Sequence, residues 1–386
     1  MVKPLRWLAL LLGCALILAV AGEAAAQQGD PPVADTPRPG YVCPPAVQLR
    51  HPQRCPDAGP GARLTRLAIQ GLYPQRPLPV APANTALGYV PFSYLRAARE
   101  RVDIFPSADA AAAGSGASEH IGAGFVFLSY PEAQEVGGKT IYPTIRGYVR
   151  SDDVSRISAP TFQGLALQRT PDRPFGWVIS GGACSERTPG EPVDPSGRCY
   201  MRYQIVQVYD TVRIGEWEWF MIGPDEWMEQ RMLALVFPDT SPPDGLQGDR
   251  WISINLYEQT VAAYLDGEMV YATLASTGQH GTWTQPGVFQ VWARLQRDNM
   301  SGGLPETNYY YLENVPWVLY YDNARALHGT YWHNRFGVPT SRGCVNLSIA
   351  DARWFYEFSQ EGTTVQVFDP SGNTPTDPAL YGAGGA

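Results

Sequence analysis

Several patterns are missing from this 386-residue chain, and each absence excludes a class of protein. There is no run of basic residues and the formal net charge is −8, so nucleic acid is not an expected partner. Neither a His-Glu-x-x-His pattern nor a Cys-x-x-Cys pair occurs, although these are common sequence signatures of zinc sites. The sequence therefore predicts no metal and no other cofactor.

Long apolar runs are missing as well, except at the N-terminus. Lys3 and Arg6 precede an apolar stretch over 7–21, and the small residues of 24–26 follow it. That order is typical of a secretory signal peptide over 1–26, and the apolar stretch is shorter than the roughly twenty residues of a membrane-spanning helix. We expect an exported protein in the periplasm or cell wall. Two alternatives stay open: an uncleaved signal that anchors the chain in a membrane, and lipid modification at Cys14.

Cysteine is scarce, and its count is informative in an exported chain. Five cysteines follow the signal-like segment, and an odd number suggests one free thiol beside disulfides. Pairing Cys43 with Cys55 and Cys184 with Cys199 would close the shortest loops. The turn around Cys344 disfavours the alternative, in which Cys344 is bonded and another cysteine is free.

Abundant glycine and proline, with few long helical patterns, predict a mainly β protein. Short strand-like runs before residue 160 end in the element Gly147-Tyr-Val, and their order resembles a bacterial SH3-like β-barrel. Such modules bind cell-wall peptides or serve as packing domains. The predicted organisation after the signal is a Pro/Ala/Gly-rich spacer at 27–84, an SH3-like β domain at 85–159, a β-rich intermediate domain at 160–248, a C-terminal domain at 249–369 and a disordered tail at 370–386.

The segment from His328 to Leu347 combines the chain's chemical signals. It begins with His-Gly-Thr and, sixteen residues after the histidine, reaches Cys344 in a Ser-Arg-Gly-Cys turn. A thiol needs a nearby base or a positive field to become a nucleophile at neutral pH, and histidine commonly supplies it. A glycine before the cysteine permits a sharp turn in which backbone N–H groups converge on an oxyanion.

This pattern resembles the catalytic domain of the L,D-transpeptidase (YkuD-type) family. The family signature is His-Gly-Thr, then Ser-His-Gly-Cys followed by an aliphatic residue and Asn or Arg, and the chain departs from it only at Arg342. The resemblance covers about 249–369 and implies a β-sandwich domain with one main helix. The residues agree: Asp266-Gly267 predicts a hairpin turn, and the capping box from Ser348 to Asp351 predicts a helix to about Gln360.

The resemblance also implies roles for individual residues. Cys344 is the expected nucleophile and His328 the general base and acid, with its ring oriented by a backbone carbonyl at Gly329. We assign oxyanion or supporting roles to Gly329, Ser341, Arg342, Gly343 and Asn346, and substrate-lining roles to Tyr320, Trp332 and His333.

Two expectations concern the neighbours of this pair. If 326–332 is a strand, His328 and His333 face opposite sides, which argues against a zinc site built from both histidines and Cys344. Arg342 stays protonated and so cannot act as a general base. We expect it to favour a thiolate or to bind a substrate carboxylate, and thus to permit activity.

The function implied is that of an exported L,D-transpeptidase, a cysteine-dependent acyltransferase whose partners are peptidoglycan stem peptides. Through a thioester it would release D-Ala and form 3→3 cross-links, and carbapenems would acylate the same cysteine. The motif leaves other acceptors open: water in an L,D-carboxypeptidase, a free D-amino acid, or a protein amine. A non-catalytic wall-binding protein is a further alternative. The sequence does not predict an oligomeric state.

Overall fold

The fold is that of a computed structural model, which describes residue 68 and residues 76–122, 124–191, 197–304 and 308–382. The predicted signal peptide, the larger part of the predicted spacer and the Cys43–Cys55 pair lie outside this range. The described residues form mainly β structure, as predicted. Among them, no helix has the length and apolar character needed to cross a membrane.

The strands fall into three sequential groups. The first group comprises β1 (Ser93–Ala97), β2 (Val102–Ile104), β3 (Glu119–Ile121), β4 (Phe125–Tyr130), β5 (Gln134–Val136), β6 (Lys139–Thr144), β7 (Gly147–Arg150) and β8 (Val154–Ile157), with helix α1 (Ala108–Ala113) after β2. The second comprises β9 (Leu165–Ala166), β10 (Phe175–Val178), β11 (Ala183–Cys184), β12 (Cys199–Tyr200), β13 (Ile205–Gln207), β14 (Asp210–Ile214), β15 (Trp217–Gly223), β16 (Glu226–Glu229) and β17 (Leu233–Val236). The third comprises β18 (Arg250–Asn255), β19 (Thr260–Leu265), β20 (Glu268–Leu274), β21 (Gly287–Gln290), β22 (Ala293–Gly302), β23 (Tyr310–Asp322), β24 (Arg325–Gly329), β25 (Val345–Leu347) and β26 (Thr364–Phe368), with helix α2 (Ile349–Phe358) after β25.

Two large sheets enclose the core of the C-terminal region. One has the order β21-β26-β18-β19-β20-β9, and the other has the order β25-β24-β23-β4-β1-β8 with β22 also paired to β23. Side chains of both sheets and of α2 join one buried cluster, which includes Ile252 of β18, Leu327 of β24, Val345 of β25 and Phe355 of α2. Burial of this apolar surface stabilises β24, which carries His328, and β25, which directly follows Cys344.

Local signals in this region are confirmed. Strands β19 and β20 pair as a hairpin through Asp266 and Gly267, which both have positive φ, as a tight two-residue turn requires. Helix α2 begins after Ser348, whose hydroxyl accepts a hydrogen bond from the amide of Asp351. The helix ends at Phe358, two residues before the predicted end.

The upstream strands do not form a separate barrel, so the SH3-like module is not confirmed. Strands β1, β4 and β8 belong to the large sheet, while β2 and β3 form one small sheet and β5, β6 and β7 another. The join is a parallel pairing of β4 with β23, in which Phe125 lies opposite Tyr310. The domain boundaries therefore stay predictions. The sheet that contains β4 and β23 combines strands from before the predicted boundary at 159/160 with strands from after the one at 248/249.

The intermediate region is β-rich and contains one predicted disulfide. Cys184 of β11 and Cys199 of β12 are bonded, as the loop-length argument favours. Cys344 is the free cysteine of the described part of the chain.

The C-terminal tail differs from its prediction. Residues 370–382 form turns and a short 3-10 helix, Pro378–Leu380, where the sequence predicted disordered chain. Tyr381 is buried, and its carbonyl accepts a hydrogen bond from the guanidinium of Arg325 on β24. This contact gives the buried guanidinium a second acceptor beside Asp322, a requirement that composition alone does not reveal.

Candidate active site

A cavity of ≈ 360 Å³ lies beside the junction of β24 and β25. Its wall comprises Phe125 of β4, Met300 of β22, Tyr310 and Leu312 of β23, His328 of β24, Asn346 of β25, and Gln279, Trp332, His333, Arg335, Thr340, Ser341, Arg342 and Cys344 of connecting segments. The predicted nucleophile and base thus border one space that is large enough for part of a peptide.

Strand register places the two groups together. Strands β24 and β25 are parallel, with His328 opposite Asn346. Cys344 comes directly before β25 and two residues before Asn346, so its side chain extends to the same side of the sheet as that of His328. The sixteen-residue spacing in sequence becomes adjacency on neighbouring strands.

The turn before the cysteine requires glycine. Gly343 has φ +117°, and a Cβ there would lie 3.2 Å from Nε of Arg325. The amide of Gly343 donates to the Ser341 hydroxyl at 3.1 Å, and that hydroxyl donates to the Cys344 carbonyl at 2.5 Å. Ser341 therefore supports the turn. The Gly343 N–H takes part in the same turn, which agrees with the supporting role given to Gly343 from the sequence.

His328 is buried and oriented by the backbone. Its Nδ1 lies 3.3 Å from the carbonyl oxygen of Gly329, so Nδ1 carries the proton and donates, which leaves Nε2 free to accept one. Burial lowers the pKa of His328 from 6.5 to about 4, partly offset by this hydrogen bond. A neutral imidazole with an open Nε2 is the protonation state that a general base needs at neutral pH.

The thiol of Cys344 is also held in its neutral form. Burial raises its pKa above the ordinary value, while a backbone hydrogen bond at Ala326 and the charge of Arg325 act in the opposite direction. Both partners are therefore neutral at pH 7. The arrangement supports proton transfer from thiol to imidazole during attack on a bound carbonyl, rather than a thiolate formed in advance.

The charge that acts on the thiol comes from an arginine that the motif does not include. Arg325 is buried and forms an ion pair with Asp322, its Nη1 lying 2.7 Å from Oδ2. The sequence offered only Arg342 for this role. No sequence signal distinguishes Arg325, because its relevance depends on the parallel pairing of β24 with β25.

His333 lies on the same cavity as His328, which corrects the alternation argument. Strand β24 ends at Gly329, so alternation does not continue to His333. Its Nδ1 accepts a hydrogen bond from the amide of Arg335 at 3.2 Å, and its Nε2 lies 2.9 Å from the side-chain amide of Asn346. With both ring nitrogens engaged, His333 and Asn346 support the rim of the cavity.

The aromatic residues of the site are partly those expected. Trp332 lies in the cavity wall, and its ring centroid is 5.7 Å from that of His328. Tyr320 does not line the cavity: its hydroxyl donates to Asp298 at 2.8 Å. Tyr310, at the start of β23, provides the tyrosine of the wall.

Other residues of the site were missed by sequence reasoning. Phe125 reaches the wall from the predicted upstream domain, because β4 pairs with β23. Thr284 donates to the carbonyl of Gly343 at 2.9 Å and accepts from the amide of Gly278 at 2.9 Å, so it fixes the turn from outside the motif. Thr284 lies within the range that resembles the family. Its contact with the turn could not be inferred from the sequence, because a threonine side chain alone does not indicate its partner.

We expect an unusual pH dependence from the depressed pKa of His328. If catalysis depends on its neutral ring, kcat/KM should fall with acid near pH 4 rather than near 6.5. Folding stability should fall earlier, between pH 6.5 and 4, because the unfolded imidazole binds a proton that the folded one excludes. The full effect is about 3 kcal/mol for His328.

Thermal melting from pH 8 to pH 4 measures this effect. The variant His328→Gln should show a weaker loss of stability with acid than the parent, whereas His120→Gln, at an exposed position, should match the parent. An acid limb of kcat/KM near pH 6.5, or equal pH profiles for the parent and His328→Gln, would contradict the prediction.

Comparison with known proteins agrees with the geometry. Residues 249–367 match the family model of the YkuD L,D-transpeptidase catalytic domain. L,D-transpeptidase 2 of Mycobacterium tuberculosis (strain CDC 1551 / Oshkosh) is 28% identical over 117 residues, which are 28% of this chain and 29% of that protein. The chain therefore aligns with less than a third of this curated relative.

Two solved structures are also similar. The L,D-transpeptidase (Yku) from Stackebrandtia nassauensis is 28% identical with a TM-score of 0.27, and the match covers 35% of this chain and 63% of that one. The catalytic domain of the E. faecium L,D-transpeptidase is 25% identical with a TM-score of 0.29, and the match covers 32% of this chain and 100% of that one. The similarity to L,D-transpeptidases of the YkuD family thus rests on the family-model match, which concerns the catalytic domain and extends over residues 249–367 of this chain.

Proposed function

We propose that the protein is a peptidoglycan L,D-transpeptidase that uses Cys344 as nucleophile and His328 as general base and acid. The observation that carries the proposal is the shared cavity. It holds the free thiol and an imidazole whose Nδ1 is fixed by the Gly329 carbonyl, within a domain of the matching family.

The reaction proceeds in two acyl transfers. Sγ of Cys344 attacks the carbonyl of the L-centre of the third stem residue while Nε2 of His328 takes the thiol proton. Collapse of the tetrahedral intermediate breaks the amide bond, and the departing D-Ala nitrogen takes the proton from the imidazolium. An amine of a second stem then attacks the thioester, gives its proton to His328 and restores the thiol with a 3→3 cross-link.

The proposal includes export, because the substrate lies outside the cytoplasm. Its support is the signal-like composition of residues 1–26. Cell fractionation with antibody detection tests this part separately from the chemistry. Recovery of the protein only in the cytoplasmic fraction would contradict it.

The activity is tested with the purified chain and a disaccharide-tetrapeptide. We expect cross-linked dimers and one D-Ala released for each cross-link, both measured by mass spectrometry. Release of D-Ala without dimers would assign carboxypeptidase activity instead, and incorporation of an added D-amino acid would show exchange. A folded protein that yields none of these products would exclude an enzymatic role and favour a wall-binding protein.

A further inference from the structure

Arg342 is the one residue in which the motif departs from the family, and its surroundings are unusual for a cation. Its guanidinium lies over the ring of Tyr310, with Cζ 5.0 Å from the ring centroid, and it borders the cavity with Cys344. Its Nη1 is buried and has no hydrogen-bond partner among the described residues. A buried donor without an acceptor destabilises the fold, because it has lost its hydrogen bonds to water and gained none in return.

The cavity around Arg342 favours an anion. A second arginine, Arg335, is exposed at the rim, and the described lining contains no aspartate or glutamate. This local excess of positive charge occurs in a chain whose formal net charge is −8. Two guanidinium groups line a space whose described wall has no carboxylate, and this arrangement suits a ligand that carries a carboxylate itself.

Other residues already perform two functions that Arg342 could have, namely placing a positive charge near the thiol and holding the turn before Cys344. The positive charge that acts on the thiol is that of Arg325, which is paired with Asp322. The backbone turn before Cys344 is held by Ser341 and does not involve the guanidinium. The unpartnered Nη1 is therefore best explained by an acceptor that arrives with the substrate.

We propose that Arg342 is a specificity-determining residue that binds a carboxylate of the donor stem peptide, with Arg335 adding charge at the rim. The inference rests on the proposed function and specifies its substrate: a donor with a free carboxylate near the scissile bond. A stem tetrapeptide has two sources of that group. One is the terminal D-Ala, and the other is the side chain of a third residue that is a diamino dicarboxylic acid.

The test measures binding apart from turnover. The full chain with Cys344→Ala is titrated calorimetrically with four donor tetrapeptides: both carboxylates free, the terminal one as carboxamide, the side-chain one as carboxamide, and both as carboxamides. We expect the fully free donor to bind roughly 10- to 100-fold more tightly than the doubly amidated one, the range that a hydrogen bond to a charged group supplies. The singly amidated donors identify which carboxylate is bound.

A second variant separates recognition from structure. Adding Arg342→Gln should reduce the preference for carboxylates to within about threefold, whereas Arg342→Lys should keep part of it because the charge remains. The matched control, Arg213→Gln at an exposed position on β14, should keep the full preference.

Three results would overturn the inference: equal binding of free and doubly amidated donors, an unchanged preference after Arg342→Gln, and absence of binding by every donor. A different result would show that the proposed function is wrong. The parent protein would then release no D-Ala, although the Cys344→Ala chain binds the donor tightly and prefers its free carboxylates. That result would retain the inference and reject the transpeptidase.

Discussion

Replacing Cys344 with alanine is expected to abolish both cross-linking and D-Ala release, with a loss of about 10⁴-fold or more in rate. The thiol borders the same cavity as the neutral imidazole of His328. The parallel pairing of β24 with β25 brings these two groups together. The products of a disaccharide-tetrapeptide incubation, counted by mass spectrometry, measure the loss.

Trapping the acyl-enzyme provides a second measurement that does not depend on the acceptor. A carbapenem should add its mass to the intact parent protein and leave the Cys344→Ala variant unchanged. The variant His328→Gln should still fold but acylate about 10²- to 10⁴-fold more slowly, because proton transfer loses its base. His120→Gln, which changes an exposed histidine outside the cavity, is the control and should acylate at the parent rate.

A carbapenem adduct on Cys344→Ala, or cross-linking by that variant at the parent rate, would contradict the assignment. Slow alkylation of the parent by iodoacetamide would not, because burial raises the pKa of the thiol and keeps it neutral before substrate binds.

Local signals in the sequence predicted the elements that depend on neighbouring residues. The hairpin at Asp266-Gly267 and the start of α2 at Ser348 each arise from backbone conformations that the residue types favour. The turn at Gly343 belongs to the same class, since its positive φ suits glycine. The orientation of His328 by the Gly329 carbonyl came from the resemblance to the family, and the structure contains that contact.

Features that depend on distant pairing could not be predicted. Phe125 reaches the cavity because β4 pairs with β23, across about 185 residues of chain, and no local pattern encodes that choice. His333 faces the cavity because β24 stops at Gly329, where an alternation pattern gives no end signal. Tyr310 and Tyr320 have the same residue type and lie on the same strand, but Tyr310 lines the cavity, whereas Tyr320 donates to Asp298 and stacks on Trp292.

Asp351 shows how one buried carboxylate joins such distant segments. It is fully buried and lies in the first turn of α2, the helix that follows β25. Oδ1 accepts from the amide of Gly164 and the hydroxyl of Tyr271, and Oδ2 accepts from the hydroxyls of Thr273 and Ser348, at 2.7 to 2.8 Å. Burial raises its pKa, and the four hydrogen bonds oppose that rise.

We expect Asp351→Ala to lower the free energy of unfolding by about 3–5 kcal/mol, because it leaves several buried donors without an acceptor at once. Asp351→Asn should cost less, since the amide oxygen still accepts from two of them. The control is Glu357→Ala on the same helix, where an exposed pair with Arg353 contributes about 0.5 kcal/mol at most. Urea denaturation followed by tryptophan fluorescence measures all three. A loss for Asp351→Ala no larger than that for Glu357→Ala would show that the carboxylate does not hold these segments together, and that β25 and the turn before it are positioned by apolar packing alone.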